Sequence, residues 1–164
     1  MPFGFTEHDA GNLGVITVVI GLFAALSVNG ILVYYHYHSK ILRVCAFIAT
    51  LGTVLFLLGM TLGKLEFLYT GSAAIGLGFF PMEAILLELG VESSWPIAEG
   101  TTAGVLYMSA QIFGIIFLFS ENALGYKSYF NAFILNISVI AASATLTLFY
   151  VDQKKRLKVD MSQH

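Results

Sequence analysis

The sequence predicts an all-α polytopic membrane protein with five spanning helices, on three observations. Of its 164 residues, 57% are hydrophobic and only 11% are charged, against about 25% charged residues in a soluble domain. Mean hydropathy is +0.82. Five apolar runs follow one another, each of about twenty residues or more, enough to cross a hydrocarbon core of about 30 Å as a helix. A chain of this composition takes lipid as its solvent.

Residues 1–12 include Glu7, His8 and Asp9 and lack the basic segment and cleavage site of a signal peptide. They read as an extracellular lead-in. The bundle is expected over 13–150. Its first run extends over about 13–35 and ends in Tyr34-Tyr-His36-Tyr-His38-Ser-Lys40, an aromatic belt closed by a cation, as at a membrane interface. The second covers about 41–62, with Gly52, Gly59 and Gly63 near one stripe where a neighbouring helix can approach closely. The third runs over about 67–89, the fourth over about 101–120 and the fifth over about 129–150. Residues 151–164, with Lys154, Lys155, Arg156 and Lys158, form a basic tail.

An odd number of spans puts the termini on opposite sides. Lys40, Arg43 and the four basic residues of the tail share one side, and Lys64 and Lys127 the other, so six of the 8 basic residues are together. The excess of Lys and Arg marks the cytoplasmic face. The N-terminus is therefore expected outside and the C-terminus in the cytoplasm. The sequon Asn136-Ile-Ser138 falls inside the fifth run, out of reach of glycosylation.

The most informative stretch joins the third and fourth runs: Glu88-Leu-Gly-Val-Glu92-Ser-Ser-Trp95-Pro96-Ile-Ala-Glu99-Gly100. It reads as a charged cytoplasmic hinge, with Trp95-Pro96 as interfacial anchor and helix starter. Glu88 and Glu92 are four apart and repel by a few tenths of a kcal/mol on one helix face. Lys40, Arg43 or the basic tail lie on the correct side to relieve them. Glu99 stands where a helix N-terminus favours negative charge. The fourth run then carries Gly104, Tyr107, Gln111 and Gly114 at three- and four-residue spacing, which is one helix face.

From Glu88 to Ile116, this pattern resembles the feline leukaemia virus subgroup C receptor-related transporters, solute carrier family 49 of the major facilitator superfamily. The carrying residues are the glutamate-rich hinge with Trp95-Pro96, Glu99-Gly100-Thr-Thr, and Ser109-Ala-Gln111-x-Phe-Gly114-Ile-Ile. Ala10-Gly11-x-x-Gly14 and the run after it are similar to the start of the family's eighth helix. The resemblance implies helices eight to twelve of a twelve-helix carrier, an incomplete C-terminal bundle without its N-terminal half. Its partners would be the lipid bilayer, that missing half, and a small substrate: choline or ethanolamine, with heme as the alternative. The loop after the first run keeps Gly30 and Lys40 but lacks the family's aspartate.

Gln111 lies about mid-bilayer, where an unpaired amide costs several kcal/mol, so it must face protein or a wet cavity. The resemblance makes it a substrate-cavity residue, since this helix supplies the family's cavity with a glutamine. Tyr107, one turn away, adds a ring face for a cation. Glu83 is an acid deep in the third run, two residues after Pro81, and a charge at that depth is costly. It is a candidate counter-ion for a cationic substrate, or pairs with the Asn29 or Asn136 region. Glu88, Glu92 and Glu99 are expected as gating contacts, and Gly59, Gly63, Gly104 and Gly114 as helix-packing positions.

Cys45 has no disulfide or metal partner and reads as a small buried side chain. His36 and His38 point to different helix faces, which fits an interfacial aromatic cluster rather than a metal site. No catalytic motif occurs, and neither an enzyme nor a cofactor is implied. The expected function is transport of a small amine across the membrane, with the plasma membrane as location. A different class stands beside it: a truncated, non-transporting membrane protein that binds or regulates a full-length relative.

Overall fold

A computed structural model describes residues 6–34, 38–125 and 129–149. Five helices follow in order: α1 (Glu7–Tyr34), α2 (His38–Leu62), α3 (Leu65–Ser93), α4 (Glu99–Gly125) and α5 (Tyr129–Phe149). No strand occurs among the described residues. Four of the helices, α1 to α4, are long and apolar enough to cross a membrane by length and composition. His36, Lys127 and the basic tail 151–164 lie outside the described residues.

Local chemistry sets the helix ends. Thr6 and Asp9 form a reciprocal capping box: Asp9 N–H donates to Thr6 Oγ1 at 3.2 Å, and Thr6 N–H donates to Asp9 Oδ2 at 2.9 Å. Orphan amides of the first turn are satisfied this way, so α1 begins at Glu7 rather than near residue 13. At the other end of the first hairpin, Gly63 has φ 65° and Lys64 N–H reaches back to Gly59 O at 3.1 Å. That left-handed glycine and six-residue loop of hydrogen bonding stop α2 sharply.

The third helix continues to Ser93, so Glu88 and Glu92 are helical and the hinge contracts to residues 94–98. Ser93 and Ser94 hydroxyls donate to Leu89 O and Gly90 O, each at 2.8 Å, occupying carbonyls at the helix end. Glu99 opens α4, as the favourable charge at a helix N-terminus requires.

The hub of the bundle is α3, which packs closely against both α2 and α1. Small residues make this approach possible. A Cβ placed on Gly78 would fall 2.5 Å from Ala49 N and from Cys45 O, and one on Gly76 would collide with Thr17 O. The two glycines therefore admit the backbones of α2 and α1 on two sides of α3. Thr17 Oγ1 donates to Leu13 O at 2.9 Å and also reaches Ser72 O at 3.3 Å, adding a polar bridge from α1 to α3.

Leu32, Leu42, Ile85 and Leu89 close the core where α1, α2 and α3 converge. Helices α4 and α5 form a second, looser pair: α5 touches α2 and α4, while α4 meets α3 sparingly. Consequently Thr102 is the one buried residue among the described positions of α4, whereas α3 buries 8, from Leu68 to Leu89.

Candidate transport site and its flanking polar pairs

On α4 the inward face is Thr102, Leu106 and Phe117. Thr102 is buried, Phe117 borders an internal cavity, and a Cβ built on Gly90 of α3 would fall 2.5 Å from Leu106. At about 100° per residue, the stripe of Gly104, Tyr107, Gln111 and Gly114 is centred well away from that face. All four are exposed within these 164 residues, Tyr107 at 47%. Nothing lies within 4 Å of a Cβ added to Gly104 or Gly114.

The stripe is an exposed face among the described residues. Its chemistry is a ring and a primary amide one turn apart on an apolar helix, able to offer a π face to a cation and hydrogen bonds to a hydroxyl.

Glu83 is exposed on α3, two residues after the buried Pro81. It makes no hydrogen bond or ion pair among the described residues. The partner considered for it at Asn136 is taken, because Asn136 Nδ2 donates to Glu121 Oε1 at 2.6 Å. Glu121 belongs to α4 because that helix runs to Gly125, five residues beyond the expected end of the run. The apolar run ends at about residue 120 and leaves Glu121 unassigned. An acid fifteen residues before a buried-run asparagine was the available signal.

At the opposite end of the bundle, His38 Nε2 donates to Glu88 Oε1 at 3.1 Å. The imidazole is buried and the carboxylate is 56% exposed. His38 opens α2 and Glu88 lies near the close of α3, so the antiparallel hairpin brings the two opposite each other. Glu92, one turn further along, is half-buried, and Glu99 is exposed at the start of α4.

The glycines differ among themselves. Gly59 approaches α3, where an added Cβ would fall 2.8 Å from Leu68 N. Gly63 has open space around it and serves the turn between α2 and α3 through its positive φ. Cys45 is buried in α2. No group of His, Cys, Asp and Glu suited to a metal occurs among the described residues.

No protein-family model matches the chain. Individual relatives do. The chain is 31% identical over 128 residues to the choline/ethanolamine transporter FLVCR2 of Rattus norvegicus, covering 76% of this chain and 23% of that relative. With the choline/ethanolamine transporter FLVCR1 of Felis catus it shares 29% identity over 121 residues, 72% of this chain and 21% of the relative. The chain belongs to the feline leukaemia virus subgroup C receptor-related family.

A longer match, 28% identity over 162 residues, joins it to the MFS-type transporter C09D4.1 of Caenorhabditis elegans, covering 95% of this chain and 27% of the relative. Measured against all three relatives, the chain spans about a quarter of a family member's length. The relatives are named as transporters, and four helices long and apolar enough to cross a membrane agree with a multi-pass membrane protein.

Proposed function

We propose that these helices are part of a major-facilitator-type carrier for a small amine, choline or ethanolamine, and correspond to helices eight to twelve of that fold. The observation that carries the reading is the pair Tyr107 and Gln111, one turn apart and exposed in the middle of α4. Burying an amide in hydrocarbon without partners costs on the order of 2–7 kcal/mol. Gln111 therefore belongs against a wet cavity or further protein, and an α4 that buries so little of itself is suited to bordering one. The names of the FLVCR relatives supply the substrate class.

In this reading all five helices span the membrane, and the bundle rocks against an N-terminal half around a midplane site. The N-terminus is outside and the C-terminus cytoplasmic, at the plasma membrane, supported by the gathering of Lys40, Arg43 and the basic tail on one side. Tyr107 supplies the cation–π face, Gln111 a hydrogen bond, and Glu83 the counter-charge. Glu92 and Glu99 act as cytoplasmic gating contacts together with Glu88, whose tie to His38 anchors the α2–α3 end of that gate.

The deciding experiment is uptake of labelled choline into cells by the carrier that contains these helices. Gln111→Ala is expected to lower uptake about tenfold at unchanged surface expression. Unchanged affinity and rate would remove Gln111 from the cavity.

A further inference from the structure

A cavity of about 640 Å³ lies between α2 and α3 on one side and α4 and α5 on the other. That volume is within the range of about 300–1,000 Å³ common for small-molecule sites. None of Gly104, Tyr107, Gln111 and Gly114 lines it, although Glu121, seven residues after Gly114, continues their side of α4. Phe117 and Glu121 border it, together with Phe56, Phe79 and Ile140.

Its polar chemistry is concentrated at one place. Three hydroxyl residues line the cavity, but each hydroxyl donates to a carbonyl of its own helix. Thr50 reaches Ala46 O at 2.8 Å, Thr53 reaches Ala49 O at 2.9 Å, and Ser143 reaches Val139 O at 2.9 Å. These bonds leave the walls with little free donor capacity. Glu121 and Asn136 are the exception. The Asn136 amide nitrogen donates to Glu121 Oε1 at 2.6 Å and to Ala132 O at 3.4 Å, which uses its two hydrogens. Glu121 Oε2 has no donor among the described residues. A carboxylate beside aromatic rings and hydrocarbon favours a cation or further donors.

Depth along the helices orients the occupant. Glu121 stands four residues from the end of α4, close to a membrane face. The α2 and α3 residues that line the cavity lie well inside their helices. The charged end is thus near the interface and the apolar part extends towards the midplane, as a single-chain amphiphile sits in one leaflet.

We propose that this cavity binds a single-chain amphiphile with a protonated amine head, its ammonium on Glu121 and its chain between the Phe79 and Phe117 rings. Tyr107 and Gln111 do not line this cavity, and the proposal does not depend on their assignment.

The test is photolabelling of the 164-residue chain in phosphatidylcholine nanodiscs with a diazirine-bearing dodecylamine, followed by peptide mapping. Labelling is expected on cavity segments of α2, α3 and α5. Dodecylamine should compete at least tenfold better than dodecanol, and Glu121→Gln should abolish that preference. Because Glu121→Gln also disturbs Asn136, a second variant, Val139→Trp, fills the cavity without altering its charge and should suppress labelling there. Equal competition by the alcohol would overturn the proposal, leaving an apolar gap. Labelling that survives Val139→Trp would overturn it as annular lipid contact. An absence of cavity labelling would overturn it in favour of a slot closed by protein, such as a further apolar helix.

Discussion

The buried imidazole of His38 and the exposed carboxylate of Glu88 meet at 3.1 Å, tying the first turn of α2 to the closing turns of α3. The pair joins the two most closely packed helices, beside the core cluster of Leu42, Ile85 and Leu89. Because the Glu88 side chain is 56% exposed, solvent screens the interaction. A double-mutant cycle with His38→Gln and Glu88→Gln is expected to give a coupling of about 0.2–1 kcal/mol, measured by unfolding in detergent. A coupling several times larger would mean that the pair is effectively buried.

Core packing beside that pair contributes more. Ile85 is fully buried at 0% exposure, whereas its neighbour Leu86 is 44% exposed. Ile85→Ala should destabilise the bundle by about 2–5 kcal/mol through the cavity it leaves. Leu86→Ala should stay within about 0.5 kcal/mol in the same assay. Similar losses at the two positions would contradict the packing described for α3.

Glycine substitutions distinguish close approach from open space. Gly78→Ile forces a side chain against Ala49 N and Cys45 O and is expected to cost about 3 kcal/mol or to prevent α2 from docking. Gly104→Ile places its Cβ where no atom lies within 4 Å and should leave thermal stability of the chain unchanged. The informative comparison is with function. If α4 borders the substrate path, Gly104→Ile should still reduce choline uptake by the carrier at normal expression.

Glu83 is the carboxylate on α3 offered as counter-charge. Glu83→Gln conserves shape and removes charge, so the proposed role predicts a rise in the choline concentration for half-maximal uptake of about tenfold. Stability should change little, because Glu83 is exposed and makes no hydrogen bond or ion pair among the described residues. Unaltered uptake would assign the cation to other groups.

Most of the helical architecture was legible in the residues. Apolar runs bounded by charges reveal helices because a backbone in lipid must satisfy its own hydrogen bonds. Helix ends were less legible, since capping depends on single side chains. Thr6 and Asp9 extend α1 beyond its apolar run, and the Ser93 and Ser94 hydroxyls occupy carbonyls where α3 ends, past the expected end of its run. The stripe on α4 followed from spacing alone. That it lies apart from the inward face of Thr102, Leu106 and Phe117 did not, because the pattern of α4 is apolar nearly all round.

By itself the sequence determined the membrane class, the approximate helices, the hinge before α4 and the shared face of Tyr107 and Gln111. Each follows from composition or from helical repeat, which are local. Only the tertiary structure decided which polar groups meet: His38 with Glu88, fifty residues apart, and Asn136 with Glu121 at the edge of the cavity. Those pairings depend on how far each helix extends and on which faces Gly76 and Gly78 allow to come together. Such long-range geometry is set by packing across α1, α2 and α3, and no periodicity within one helix encodes it.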